Sequence, residues 1–136
     1  MRLSREQALK DVHREAEQLG IKIITDTDPE IAEYMNHAAT RQAIQPEDMH
    51  AITLGTEIIL IRERFAGNVR VLREELIHTQ QQIKGLSIDA GRDIITAMEL
   101  DARYQLLQNK DSWALTDEEV AEIKREIMVT TQKGRY

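Results

Sequence analysis

Apolar residues return every three or four positions along most of this chain, and in two places that helical period gives way to short runs of β type. Ser4 with Gln7 forms a capping box, and Leu3, Ala8, Val12 and Ala16 keep a helical period until Gly20 stops it. Ile21 to Thr25 then has the length and side chains of a strand. Asp28 before Pro29 places an N-cap ahead of an N1 proline and opens a second helix through Ile31, Tyr34, Met35, Ala38 and Ala39, fading before Pro46. From His50 to Arg62 the pattern turns β: Ala51–Leu54 and Glu57–Ile61 flank Gly55 and Thr56. They form a hairpin about Gly55 or one long strand bulged there, and the hairpin is the preferred reading.

Asn68 caps a third helix with an apolar stripe of Val69, Leu72, Leu76 and Ile83. Val71, Glu74, Glu75, His78, Gln81 and Gln82 share a neighbouring mixed face, and Gly85 ends the helix. Ser87 or Asp89 caps a fourth helix with the stripe Ile95, Met98, Ala102 and Leu106. Thr116, with Glu119 in the capping-box position, starts a fifth through Val120, Ile123 and Ile127 to about Thr131, leaving a frayed tail from Gln132 to Tyr136. The expected architecture is one helix-rich α+β domain over 1–136, with N-terminal helices and a small sheet in 1–66. Motif, ligand and C-terminal helices follow in 67–131. A small antiparallel sheet packs on the third helix.

Composition narrows the chemistry. With 136 residues, 41% apolar and 31% charged, the chain suits one globular domain. Aromatic residues are scarce, so Ile, Leu, Val, Ala and Met must build the core. A net charge of −6 without a basic stretch argues against a nucleic-acid surface. No apolar run approaches a membrane span, and Met1 to Glu6 has the character of a helix rather than a signal peptide. The expected setting is a cytoplasm, that of the producing cell or of a target cell. The chain has no cysteine, so it needs no oxidising compartment, and any transition metal must be held by imidazole, carboxylate or amide groups.

The candidate chemistry lies in Glu74-Glu75-Leu76-Ile77-His78. In the H-E-x-x-H helix of zinc proteases two ligands four residues apart share one face, and the glutamate beside the first is the general base. Here Glu74 and His78 take the ligand positions and Glu75 the base position. Glu99, 21 residues beyond His78, can return on an antiparallel helix as a third ligand. A single divalent ion, zinc first and manganese, cobalt or iron as rivals, would then activate water for hydrolysis, with Glu75 moving the proton. Two carboxylates and one imidazole form a more negative ligand set than the usual two histidines.

The same residues have plainer readings. Glu74 can pair with Arg70 or Arg73, Glu99 with Arg103 at i+4, and His78 can be a satisfied, partly buried side chain. The whole can be a non-catalytic acidic interaction module. Glu75-x-x-His78 is also half of a di-iron carboxylate motif, whose second half would be Glu47-Asp48-Met49-His50, although Pro46 and the following β run oppose a helix there. His13 reads as a surface residue. His37 or Tyr104 could donate to a transition state, and Arg103 could pair with Glu99 or with a substrate carboxylate. The hairpin edge could align an extended peptide.

Three blocks in fixed order, Val71 to Gln81, Met98 to Leu107 and Leu115 to Val120, resemble the zincin-like metallopeptidase toxin domains found at the C-termini of bacterial polymorphic toxins and in phage-borne proteins. The likeness covers roughly the second half of the chain. It implies a minimal gluzincin-type fold, with Glu74, His78 and Glu99 as metal ligands, Glu75 as base, and Gln81, one turn past His78, lining the site. Where the family more often has histidine, this chain has Glu74. The resemblance further implies a protein or peptide substrate, delivery into a competitor cell and a cognate immunity protein that blocks the cleft.

Overall fold

The computed structural model describes residues 4–85 and 92–133. In chain order it contains α1 (Arg5–Gln18), β1 (Lys22–Thr25), α2 (Pro29–Arg41), β2 (Ala51–Leu54), β3 (Ile58–Ile61), α3 (Val69–Ile83), α4 (Arg92–Gln108) and α5 (Asp117–Lys133). Short 3-10 turns lie at Pro46–Asp48 and Glu63–Phe65. This is the helix-rich α+β arrangement expected from the pattern.

Local signals set most of the boundaries. The Ser4 hydroxyl accepts from the Gln7 amide at 3.1 Å, and the Asp28 carboxylate from the Glu30 amide at 2.9 Å. Asn68 Oδ1 accepts from the Val71 amide at 3.1 Å, and a reciprocal box joins Thr116 and Glu119. The Gln7 side chain does not close the box at Ser4; it donates to Asp11 one turn on. Gly20 ends α1 in the left-handed region, at φ 73°. The expected fourth-helix cap, Ser87 or Asp89, lies outside the described residues, as do Leu3 and residues 134–136.

The sheet has the order β1-β3-β2. β3 runs parallel to β1, with Ile23 opposite Ile59, and antiparallel to β2, with Thr53 opposite Ile59 on its other side. The preferred hairpin is therefore present, turning at Gly55 with φ 60°, but the sheet is mixed rather than purely antiparallel. Side chains alternate across it. Ile59 and Ile61 pack with Val12 and Ala16 of α1 and Leu72 and Leu76 of α3. On the other face Leu60 packs with Met35, Ala38 and Ala39 of α2. The strands thus lie between α2 and the α1/α3 pair.

A third cluster joins α3 to the C-terminal helices: Ile77 packs with Ala102, Leu106, Leu115 and Ile123. Two expected stripe residues are corrected here. Ile83, in the last turn of α3, is 53% exposed, and Ile95, near the start of α4, is 37% exposed. Ile77, off the expected stripe, is buried because α3 is covered on a second side by α4 and α5. No helix among the described residues is long and apolar enough to cross a membrane.

Candidate metal centre

A cleft of about 1140 Å³ opens between the free side of β2, the end of α2 and the facing surfaces of α3, α4 and α5. Glu74, Glu75, His78, Glu99 and Arg103 all line it. Helical spacing explains the first three, since i, i+1 and i+4 fall on one side of α3. The packing of Ile77 on Ala102 and Leu106 explains the rest, because it brings α4 alongside and turns Glu99 towards α3.

His78 and Glu99 are the pair that this packing unites. His78 Nε2 stands 3.6 Å from Glu99 Oε1, beyond a good hydrogen bond. Two ligand atoms on one tetrahedral ion, each about 2.0–2.1 Å from it, lie about 3.4 Å apart, so the separation suits a shared ion. The other imidazole nitrogen, Nδ1, is 2.9 Å from Gln81 Oε1. Gln81 is buried, and its Nε2 donates to the Met98 carbonyl at 2.9 Å and to Asp101 at 2.7 Å. The amide oxygen is therefore left to accept, which places the imidazole proton on Nδ1 and leaves Nε2 free to bind a cation. Gln81 acts behind His78 instead of forming the cleft wall.

Glu74 is not brought to that pair. Its carboxylate is 3.4 Å from Arg70, and Arg70 also binds Glu122 at 2.7 Å and Glu126 at 2.7 Å. Arg103 binds Glu99 Oε2 at 2.5 Å and Glu126 at 3.0 Å. Among the described residues no three His, Asp or Glu side chains stand close enough together to hold an ion as they are. The donor chemistry suits a borderline ion at His78 and Glu99, and Glu74 joins them only by turning away from Arg70.

Glu75 is held differently. The Thr53 hydroxyl on β2 donates to its Oε2 at 2.6 Å. Burial pushes the Glu75 carboxyl up to about 7, with the charges of Glu74 and Glu99 adding to the rise; His78 and the Thr53 hydrogen bond oppose it. A carboxyl poised there can take up and release a proton near neutral pH.

The remaining candidates separate clearly. Tyr104 is 51% exposed and does not line the cleft. His37 is exposed on α2 beside Glu30, Glu33 and Arg41 and does not line the cleft. His13 is exposed. His50 stacks on Phe65 at 4.0 Å, and Glu47 and Asp48 lie in a 3-10 turn, so the second half of a di-iron motif has no helix to stand on. Sequence reading missed Thr53, Asp101, Glu122 and Glu126. Only their place on elements bordering the motif helix could have marked them, and that requires the packing.

No family model, curated protein or solved structure matches this chain.

Proposed function

We propose that this protein is a metal-dependent peptidase of zincin-like type, with His78 and Glu99 as ligands, Glu74 as the third ligand after leaving Arg70, and Glu75 as general base. The observation that carries the reading is the convergence of Glu75, His78 and Glu99 in one cleft bordered by a free antiparallel edge strand. A divalent ion held there, zinc first and manganese, cobalt or iron as rivals, supplies Lewis acidity and makes water easier to ionise. The chain's own residues do the rest. Gln81 fixes the His78 ring, Thr53 fixes the Glu75 carboxyl, and Glu75 accepts a proton from the water whose oxygen bonds to the peptide carbonyl carbon, then returns it to the leaving amine as the C–N bond breaks.

The edge strand gives the substrate a place. His50 O accepts from Arg62 N, so in the antiparallel register the backbone groups of Ala51 and Thr53 point away from β3 towards the open side. An extended protein or peptide segment pairs there beside Glu75. A toxin role, with delivery into a target-cell cytoplasm and an immunity protein over the cleft, rests on the family resemblance and extends this proposal.

Metal content tests it. Purified wild type is incubated with zinc, manganese or iron and compared by plasma mass spectrometry with His78→Ala and Glu99→Ala. About one ion per chain, lost in both variants, supports the site and opens a peptidase screen with Glu75→Gln as the inactive control. Wild type without metal under every condition ends the peptidase reading and leaves a non-catalytic interaction module.

A further inference from the structure

Helix α5 contributes no proposed ligand, yet it carries the side chain on which both cleft arginines converge. Glu126 Oε1 accepts from Arg70 Nη2 at 2.7 Å and from Arg103 Nε at 3.1 Å, and Oε2 lies 2.9 Å from Arg70 Nη2. Each arginine then reaches one candidate ligand carboxylate, Arg70 to Glu74 and Arg103 to Glu99. The guanidinium groups are largely buried, with side chains 14% exposed in both cases, so their charge must be balanced locally.

This arrangement divides the oxygens of Glu99. Oε2 goes to Arg103, while Oε1 faces His78 Nε2. Arg103 keeps that division only while Glu126 shares its charge. Without Glu126, Arg103 is left with Glu99 and Arg70 with Glu74 and Glu122. Both arginines then compete more strongly for carboxylates that an ion needs.

We infer that Glu126 is a positioning residue of the metal centre, which holds Arg70 and Arg103 so that Glu74 and Glu99 can turn an oxygen to a shared divalent cation. The inference rests on the peptidase reading of the same cleft. It assigns part of the site to a helix outside the ligand motif, 27 residues beyond Glu99.

The experiment is zinc affinity, measured by competition with a chromophoric chelator, for wild type and four variants. Glu126→Gln is expected to weaken zinc binding by about tenfold or more, the usual scale for residues that orient ligands. Glu118→Gln removes the same charge from an exposed position of the same helix that does not line the cleft, and is expected to stay within about threefold of wild type. The separating readout is the double variant Glu126→Gln/Arg103→Met. Removing the competing guanidinium is expected to recover at least part of the lost affinity, whereas simple structural damage would deepen the loss. Glu126→Asp, which keeps the charge and shortens the reach, is read in the same way should the glutamine variant not fold. Wild-type affinity in Glu126→Gln, or a double variant weaker than the single one, overturns the inference and leaves the metal site standing. A wild type that binds no zinc, manganese or iron overturns the peptidase reading itself, and this inference with it, before any variant is compared.

Discussion

Thr53 donates a 2.6 Å hydrogen bond to Oε2 of Glu75, so the outer strand of the sheet and the motif helix meet at a carboxyl group whose ionisation burial opposes. The consequence is a pH-dependent stability of defined sign. The Glu75 carboxyl moves from 4.5 to about 7 on folding. Between those values the folded chain holds more protons than the unfolded one, so stability present below about 4.5 is lost as pH rises through 7. Glu75→Gln, which keeps a neutral side chain at every pH, should match the metal-free wild type near pH 4.5. By pH 8 it should be more stable, by about 3 kcal/mol at most. Calorimetry across that range checks it, and a gap independent of pH would sink the assignment.

Thr53→Val tests the same contact from the strand. The hydroxyl bond favours the charged carboxylate, so removing the donor while keeping the shape should raise the Glu75 pKa further. Carbon-13 NMR of the side-chain carboxyl, on metal-free protein, reads the midpoint directly. A midpoint that stays or falls would mean that the hydroxyl does not reach the carboxylate in solution.

Gln81→Met should cost more than its size suggests. The amide joins His78 on α3 to Met98 O and Asp101 on α4, all from a side chain only 3% exposed. Leaving those partners unsatisfied should destabilise the fold by about 1–3 kcal/mol in urea unfolding. Zinc affinity should also fall by about tenfold or more, because the imidazole loses its orienting acceptor. Gln105→Ala removes an exposed bond to the same Asp101 and should change stability by no more than about 0.5 kcal/mol. Equal effects of the two substitutions would remove Gln81 from the site.

How much of this was legible depends on the range of the interaction. Asp28, Asn68 and the Thr116–Glu119 box act within four residues, and each marks a helix start that the fold bears out. The Gly55 hairpin was readable for the same reason. The expected stripes failed where tertiary packing decides: Ile83 and Ile95 have helical spacing but stay exposed, and Ile77 is buried by a second contact that no single stripe reveals. The site divides likewise. Glu75 and His78 share a helix side by spacing alone, and Glu99 was reachable from the return of the chain. Glu126 meets Arg70 across 56 residues, and Thr53 meets Glu75 across 22. Neither distance leaves a periodic trace.

The edge of β2 supplies the last prediction. With Ile52 opposite Leu60 and Leu54 opposite Ile58 on the bonded side of the ladder, the Ile52 and Leu54 amides face β3, while those of Ala51 and Thr53 face the cleft. In the free protein the Ala51 and Thr53 amides should exchange with deuterium faster than their two neighbours, because no strand among the described residues covers them. An extended peptide bound beside Glu75 should reverse this by supplying carbonyl acceptors, slowing exchange at Ala51 and Thr53 without changing Ile52 or Leu54. NMR-detected exchange on Glu75→Gln, which lacks the proposed base, with and without a peptide library, distinguishes the outcomes residue by residue. Protection confined to 51 and 53 places the substrate as a fourth strand. Uniform protection through β2 would instead mean that the ligand stabilises the whole sheet from elsewhere, and the edge would lose its part in recognition.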